Sequence, residues 1–268
     1  MIKDDMTDNK PLLLDRLNRN DYETIIEIGL DEAGRGCFFG PIMAGAVLWP
    51  LEETWNDTIR NLAGKIKDSK KLSPKRRSEY ANKIRELVDI WGVGIVSADE
   101  INENGIQWAN REAFKRALSA AWMKIPKEIR TNVRFVVDGS ISFLDFARNI
   151  IDNDYSCIEE LVVEGDGKYL SVAAASILAK VAHDDWIHNW ISANTELAER
   201  YDMAGSKGYG TAKHRAGLGK WGSVEGHRTL FVRNWIPYMT ENIIETHNEG
   251  QFNKSSKTEN LSKCLIKL

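Results

Sequence analysis

Four carboxylates stand where apolar runs end, each run closing on glycine. Asp31 and Glu32 finish the run TIIEIGLDE and precede Gly34-Arg35-Gly36. Asp138 finishes VRFVVD and precedes Gly139, and Asp166 lies between Gly165 and Gly167. Carboxyl ends of strands are where open α/β sheets place their ligands. Carboxylates gathered there repel one another, and a divalent cation resolves the repulsion. An all-oxygen ligand set favours Mg²⁺ or Mn²⁺ over zinc. Any one of these acids alone reads best as a strand end or a turn cap. The three strand-end positions together favour a metal site. One difficulty is that Asp31 and Glu32 would face opposite sides of a regular strand. Bringing both to one cluster requires a twist at the strand end, which the following glycines permit.

A second constellation is basic. Residues 65–77 hold seven basic side chains against one acid, Asp68, for a local charge of +6. The stretch 203–224 has no acid and carries Lys207, Lys213, Arg215 and Lys220, with Tyr209 between glycines in KGYGT. Most charge runs are solvated faces. Glycine-flanked loops, however, let backbone N–H groups approach phosphate, and a tyrosine among them offers a stacking surface for a base or sugar. Acids fit to hold metal, beside a phosphate-binding surface, describe a metal-dependent nuclease.

Composition bounds this reading. The chain has 268 residues, is 43% hydrophobic and 28% charged, and has a net charge of -3. It is globular in composition and excludes a disordered or collagen-like protein. The small net charge excludes bulk positive charge as the means of binding nucleic acid, but not a local basic face. The three cysteines (Cys37, Cys157 and Cys264) form no CxxC pair, so neither a disulfide framework nor a structural zinc site is expected. The acidic, polar N-terminus is wrong for a signal peptide. The longest uncharged run, residues 36–51, is too short and broken to span a bilayer. A cytoplasmic protein is expected.

The elements that must position these groups follow from hydrophobic pattern. Strands are predicted at 24–31, 41–49, 91–97, 133–138 and 161–164. Ser73 then Pro74 is a helix start, and Tyr80, Ile84, Leu87 and Val88 mark the buried face of that helix. Further helices are predicted over 107–124 and 171–190. Residues 1–22 read as a polar leader, 23–240 as one catalytic unit and 241–268 as a polar, loosely ordered tail. The pattern implies an α/β sheet with helices on its faces.

The motifs in order resemble those of the ribonuclease HII group, a type 2 ribonuclease H family. They are GLDEAGRGCFFGPIMAGAV, DSKKLSPKRR at 68–77, VVDGS at 136–140, GDGKYLSVAAASILAKVAHD at 165–184, SKGYGTAKH at 206–214 and GHRTLF at 226–231. The likeness spans about residues 24–235. It implies a ribonuclease H-like fold, a central mixed sheet flanked by helices, with a helical C-terminal extension. It implies that Asp31, Glu32, Asp138 and Asp166 are the catalytic metal ligands for two Mg²⁺ or Mn²⁺ ions. Gly34, Arg35 and Gly36 would read the ribonucleotide 2′-hydroxyl through the backbone. Tyr209 would stack at the RNA–DNA junction, and Ser69, Lys70 and Lys71 would contact phosphate.

The implied activity is hydrolysis of the RNA strand of RNA–DNA hybrids and cutting 5′ of ribonucleotides embedded in duplex DNA. Two metal ions would assist, leaving 3′-hydroxyl and 5′-phosphate ends. The expected partners are those nucleic acids and no membrane; the chain is expected to be a monomer, with no partner assigned to the tail. Cys37, Phe38, Gly167 and His183 depart from the family pattern. Asp184 reads as a structural acid paired with a nearby base, and His214 and His227 as hydrogen-bonded structural or phosphate-contacting residues. Ribonuclease HIII, which prefers long hybrids, carries an extra N-terminal domain, for which about two dozen residues before the first strand are too few. A catalytically silent nucleic-acid-binding module would have no use for four costly acids.

Overall fold

The computed structural model describes residues 25–66, 71–130, 132–151 and 156–236. Its centre is a five-stranded mixed sheet in the order β3-β2-β1-β4-β5. The strands are β1 (Ile25–Ala33), β2 (Ile42–Val47), β3 (Trp91–Val96), β4 (Asn132–Asp138) and β5 (Ser156–Val162). β1, β2 and β3 pair antiparallel, while β1, β4 and β5 run parallel. The mixed sheet expected from the sequence is therefore present.

The helices are α1 (Asp57–Ala63), α2 (Pro74–Leu87), α3 (Ala98–Asn104), α4 (Ile106–Trp122), α5 (Leu144–Ala147) and α6 (Leu170–Ala193), then α7 (Thr195–Arg200), α8 (Met203–Ser206), α9 (Ala212–Trp221) and α10 (Thr229–Val232). The chain divides into two compact units. The first holds the described residues through Arg35 together with Gly40–Asp185; the second holds Gly36–Phe39 and the described residues from Trp186 onward.

In the first unit both faces of the sheet are covered, and strand alternation decides which side chain meets which helix. Ile28, Leu30, Ala44, Ala46 and Val96 pack with Ala113, Phe114 and Ala117 of α4. Val47 packs on the opposite face with Ala174, Ala175 and Leu178 of α6, and with Tyr80 and Ile84 of α2. Every residue of β2 is buried, as its unbroken apolar run predicts. Close approach of the helices is made possible by glycine. A Cβ at Gly94 would lie 2.1 Å from the Ala113 carbonyl oxygen, and one at Gly45 would lie 2.2 Å from that of Ala175.

Ser73 caps α2 as expected, accepting from the Arg76 amide at 3.4 Å, with Pro74 in the first turn. Several elements differ from expectation, among them the short helices α1, α5, α7, α8 and α10, which were not predicted. β5 begins at Ser156 rather than 161. It is an edge strand, so Glu159 and Glu160 can sit in it, and the alternation of a half-buried strand was hidden by them. α3 was not anticipated, although Ser97 and Glu100 form a full capping box at its start. The acid-free stretch after 203 contains α9, started by Thr211, whose hydroxyl accepts from the His214 amide. The predicted tail at 241–268 lies outside the described residues.

The second unit is built on a small core of Phe39, Ile187, Ala198, Tyr201, Met203, Leu218 and Val232. Among the described residues, no helix is long and apolar enough to cross a membrane.

Candidate metal and nucleic-acid site

β1 runs straight through Asp31 and Glu32. Asp31 lies opposite Gly45 in the ladder and Glu32 opposite Ala44, and pairing continues to Ala33. Ladder hydrogen bonds keep the backbone extended past both acids, so any turn that the glycines permit lies beyond Ala33. The two acids approach from opposite sides of the strand end, and both bear on Asp138. Asp31 meets Ser176 of α6, whose side chain hydrogen-bonds its carboxylate. Glu32 faces Asn110 of α4, which favours its charged form.

Asp138 ends β4, and its Oδ1 accepts from the Gly165 amide at 2.8 Å. That bond fixes the turn bearing Asp166, which is itself buried. Asp31 is also buried, and its Oδ1 accepts from the Glu32 amide at 2.7 Å. Burial is the main cause of a pKa well above the ordinary carboxylate range at Asp31. Repulsion from Glu32, Asp138 and Asp166 adds to it. Burial likewise raises Glu32, with Arg35 at 3.8 Å working in the other direction. The structure thus brings all four predicted acids into one electrostatic neighbourhood. Among the described residues, no three acidic, histidine or cysteine side chains stand close enough to enclose an ion as they are placed. The donor set nevertheless fits a hard divalent cation: all-oxygen, anionic, and destabilised by its own charge.

Sequence reasoning missed Asn110 and Ser176. Asn110 is 1% exposed on the otherwise apolar stripe of α4, where Ala109, Ala113 and Phe114 are buried. A polar residue on an apolar stripe was the available signal. Ser176 sits in the same way within the alanine run of α6.

Gly34 has φ +81°, and a Cβ there would lie 2.5 Å from the His183 ring and 2.9 Å from the Pro41 carbonyl oxygen. A Cβ at Gly36 would meet nothing within 4 Å. Gly34 is therefore fixed by the protein's own packing, whereas nothing among the described residues requires Gly36 to lack a side chain. His183, one of the departures from the family pattern, packs beside Asp184 (3.7 Å). Asp184 is a structural acid as expected: it pairs with Lys180 at 2.9 Å and with buried Arg77 at 3.6 Å. Arg77 in turn donates to the Leu72 carbonyl, ordering the entry to α2. Lys71 lies exposed just before it. Ser69 and Lys70 lie outside the described residues.

In the second unit, Gly36–Phe39 is woven into the KGYGT loop. Cys37 pairs with Tyr209 and Phe39 with His227 as isolated bridges. The Phe38 and Phe39 amides donate to the Gly208 carbonyl at 2.8 and 3.1 Å. The Cys37 thiol, fully buried, points at the Lys207 carbonyl (3.8 Å). Tyr209 itself is 37% exposed, an accessible ring held by a tightly bonded backbone.

His214 and His227 lie beneath this loop, both buried, with Nε2 atoms 3.1 Å apart. Burial lowers both imidazoles, His227 to about 4. A depressed folded-state pKa means the unfolded chain binds the extra proton first. The contribution to stability is present above the unfolded value and is lost as pH falls toward the folded one. For His227 alone, moving from pH 7 to pH 5 should cost on the order of 2 kcal/mol. Urea unfolding followed at both pH values checks this, and a His227→Gln variant should show a smaller pH dependence.

Comparison with known proteins gives one consistent answer. The family model for ribonuclease HII matches residues 28–236. A ribonuclease HII from Synechocystis is 39% identical over 216 residues, covering 78% of this chain and 97% of that protein. One from Alkaliphilus metalliredigens is 35% identical, covering 79% and 91%. The crystal structure of ribonuclease H2 from Pyrococcus horikoshii superposes with a TM-score of 0.59 at 26% identity, covering 78% of this chain and 96% of that one.

Proposed function

The chain belongs to the ribonuclease HII family, and from that premise we propose that it is a metal-dependent endoribonuclease that cuts 5′ of a ribonucleotide embedded in duplex DNA and within the RNA strand of RNA–DNA hybrids. The observation that carries this reading is the charge load on Asp31: a buried carboxylate made costly by Glu32, Asp138 and Asp166. Such a group persists in a fold when a bound cation relieves it.

Asp31, Glu32, Asp138 and Asp166 would hold two Mg²⁺ or Mn²⁺ ions. Those ions would supply an acidified water, charge shielding on the phosphate and stabilisation of the leaving 3′-oxygen. Ser176 of α6 bonds to the Asp31 carboxylate, and Asn110 of α4 lies near Glu32 and favours its charged form. The Asp138–Gly165 hydrogen bond holds the turn that carries Asp166. The backbone at Gly34, Arg35 and Gly36 would meet the 2′-hydroxyl, the one group that marks such a site in DNA. Lys71, with Ser69 and Lys70, would contact phosphate, and Tyr209 would stack at the RNA–DNA junction.

The open space at Gly36 tests the recognition role. Gly36→Ala should fold with an unchanged melting temperature yet cleave a singly ribonucleotide-substituted duplex about tenfold more slowly, the loss of roughly one well-made hydrogen bond. Wild-type rates from that variant would move recognition of the 2′-hydroxyl elsewhere. The overall reading is tested by cleavage of three duplexes (one ribonucleotide, full hybrid, plain DNA) in each metal. Cutting of plain DNA, or none without regard to metal, would overturn it.

A further inference from the structure

We propose that His227 and His214 form a relay of two neutral imidazoles, in one defined pair of tautomers, that positions the backbone of Tyr209 for substrate. The chain of contacts has four members. His227 Nδ1 lies 3.0 Å from the Val224 amide and 3.0 Å from its carbonyl. Its Nε2 lies 3.1 Å from His214 Nε2, and His214 Nδ1 lies 3.0 Å from the Tyr209 carbonyl oxygen.

The far end fixes the direction. A carbonyl oxygen only accepts, so His214 must carry its proton on Nδ1. A neutral His214 then has a lone pair on Nε2, and His227 must donate to it from its own Nε2. That leaves His227 Nδ1 to accept from the Val224 N–H, with the Val224 carbonyl oxygen, also at 3.0 Å, left without a ring donor. The opposite direction would satisfy that carbonyl but make two mismatches, a lone pair against the Tyr209 carbonyl and a ring N–H against the Val224 N–H. A doubly protonated ring is disfavoured by burial: both rings are at least 98% covered and both have depressed pKa values.

Burial outweighs the one acid that bears on His214, Asp202, which favours the charged ring. Buried Arg228, near Cys37 and Tyr209, supplies positive charge to the same loop. Tyr201 and Phe39 pack edge-on to His227 at 4.7 and 5.0 Å, confining the ring. The loop that the relay holds contains Lys207 with φ +49° and Gly208 with φ +84°. Both lie in the left-handed region, and Lys207 is strained there. The relay therefore restrains a loop whose own backbone does not prefer its conformation.

The functional half rests on the reading of Tyr209 as the junction-stacking residue; the tautomers do not. Long-range ¹H–¹⁵N spectra of the full chain with labelled histidine report the tautomers directly. Expected are His214 protonated on Nδ1 and His227 on Nε2. The reverse pattern, or a charged imidazole, would overturn the relay. Cleavage then tests positioning. Asn places an amide where His carries Nδ1, and Gln places one where His carries Nε2. His214→Gln and Tyr209→Ala should each lower the ratio of single-ribonucleotide to hybrid cleavage about tenfold. His214→Asn should stay within about twofold of wild type. A normal ratio in His214→Gln beside a lowered one in Tyr209→Ala would overturn the positioning role. An unchanged ratio in Tyr209→Ala would overturn the stacking reading instead, and the wild-type spectrum still decides the relay.

Discussion

Asp31→Asn should reduce metal-dependent cleavage at least about 100-fold, because loss of groups that merely orient a ligand already costs 10–100-fold. The substitution is nearly isosteric. The amide oxygen can still accept from the Glu32 amide, which reaches Asp31 at 2.7 Å, and from Ser176. What disappears is the negative charge. Asp31 holds its proton well above the ordinary carboxylate range because burial and three neighbouring acids oppose ionisation. A carboxylate with a raised folded-state pKa makes stability fall as pH rises from the unfolded value through the folded one. The neutral amide carries no such penalty, so the metal-free variant should melt at a higher temperature than metal-free wild type at neutral pH. Loss of activity with a gain in melting temperature separates a functional carboxylate from a structural one. Turnover within a few-fold of wild type would remove Asp31 from the site.

The acids were legible because carboxylates are residue types that apolar strand ends otherwise avoid. Asp31, Asp138 and Asp166 announce themselves against their surroundings. Their arrangement was less legible. Strand alternation placed Asp31 and Glu32 on opposite sides of the strand, and the ladder continues past both to Ala33, yet both acids bear on Asp138. The partners were harder still. Asn110 and Ser176 belong to helices whose contact with β1 is set by tertiary packing, and no local pattern names the strand they meet. The same holds for His214 and His227, thirteen residues apart in sequence and 3.1 Å apart in space. Capping chemistry was read at Ser73 and overlooked at Ser97, although the capping box there is complete. The edge strand β5 was shortened because its acids break the apolar signal, while pairing along β4 supplies what its side chains do not.

Gly45→Ala should destabilise the protein by about 3 kcal/mol, the upper part of the range for an overpacked core. The added methyl would lie 2.2 Å from the Ala175 carbonyl oxygen and 2.9 Å from its carbon. These are backbone atoms of α6, which no rotamer change can remove, so the helix must move off the sheet. That movement also reaches the chemistry. Gly45 lies directly across from Asp31 in the β1–β2 ladder, and the next residue of α6 is Ser176, the donor to Asp31. The variant should therefore lose kcat as well as stability, measured on the folded fraction below its melting transition. Gly92→Ala loads the other face, where α4 carries Asn110 toward Glu32. Its methyl would strike the Ala117 carbonyl of α4 at 2.2 Å, on the opposite face. It should cost similar stability while leaving the Ser176–Asp31 contact in place. Gly64→Ala, with ordinary helical φ −70° and only 3.7 Å contacts, should be tolerated. If Gly45→Ala lost stability but kept the wild-type kcat, α6 would not be what holds Asp31 in position. If Gly45→Ala unfolded at the wild-type urea midpoint, the close approach of α6 to β2 would be wrong.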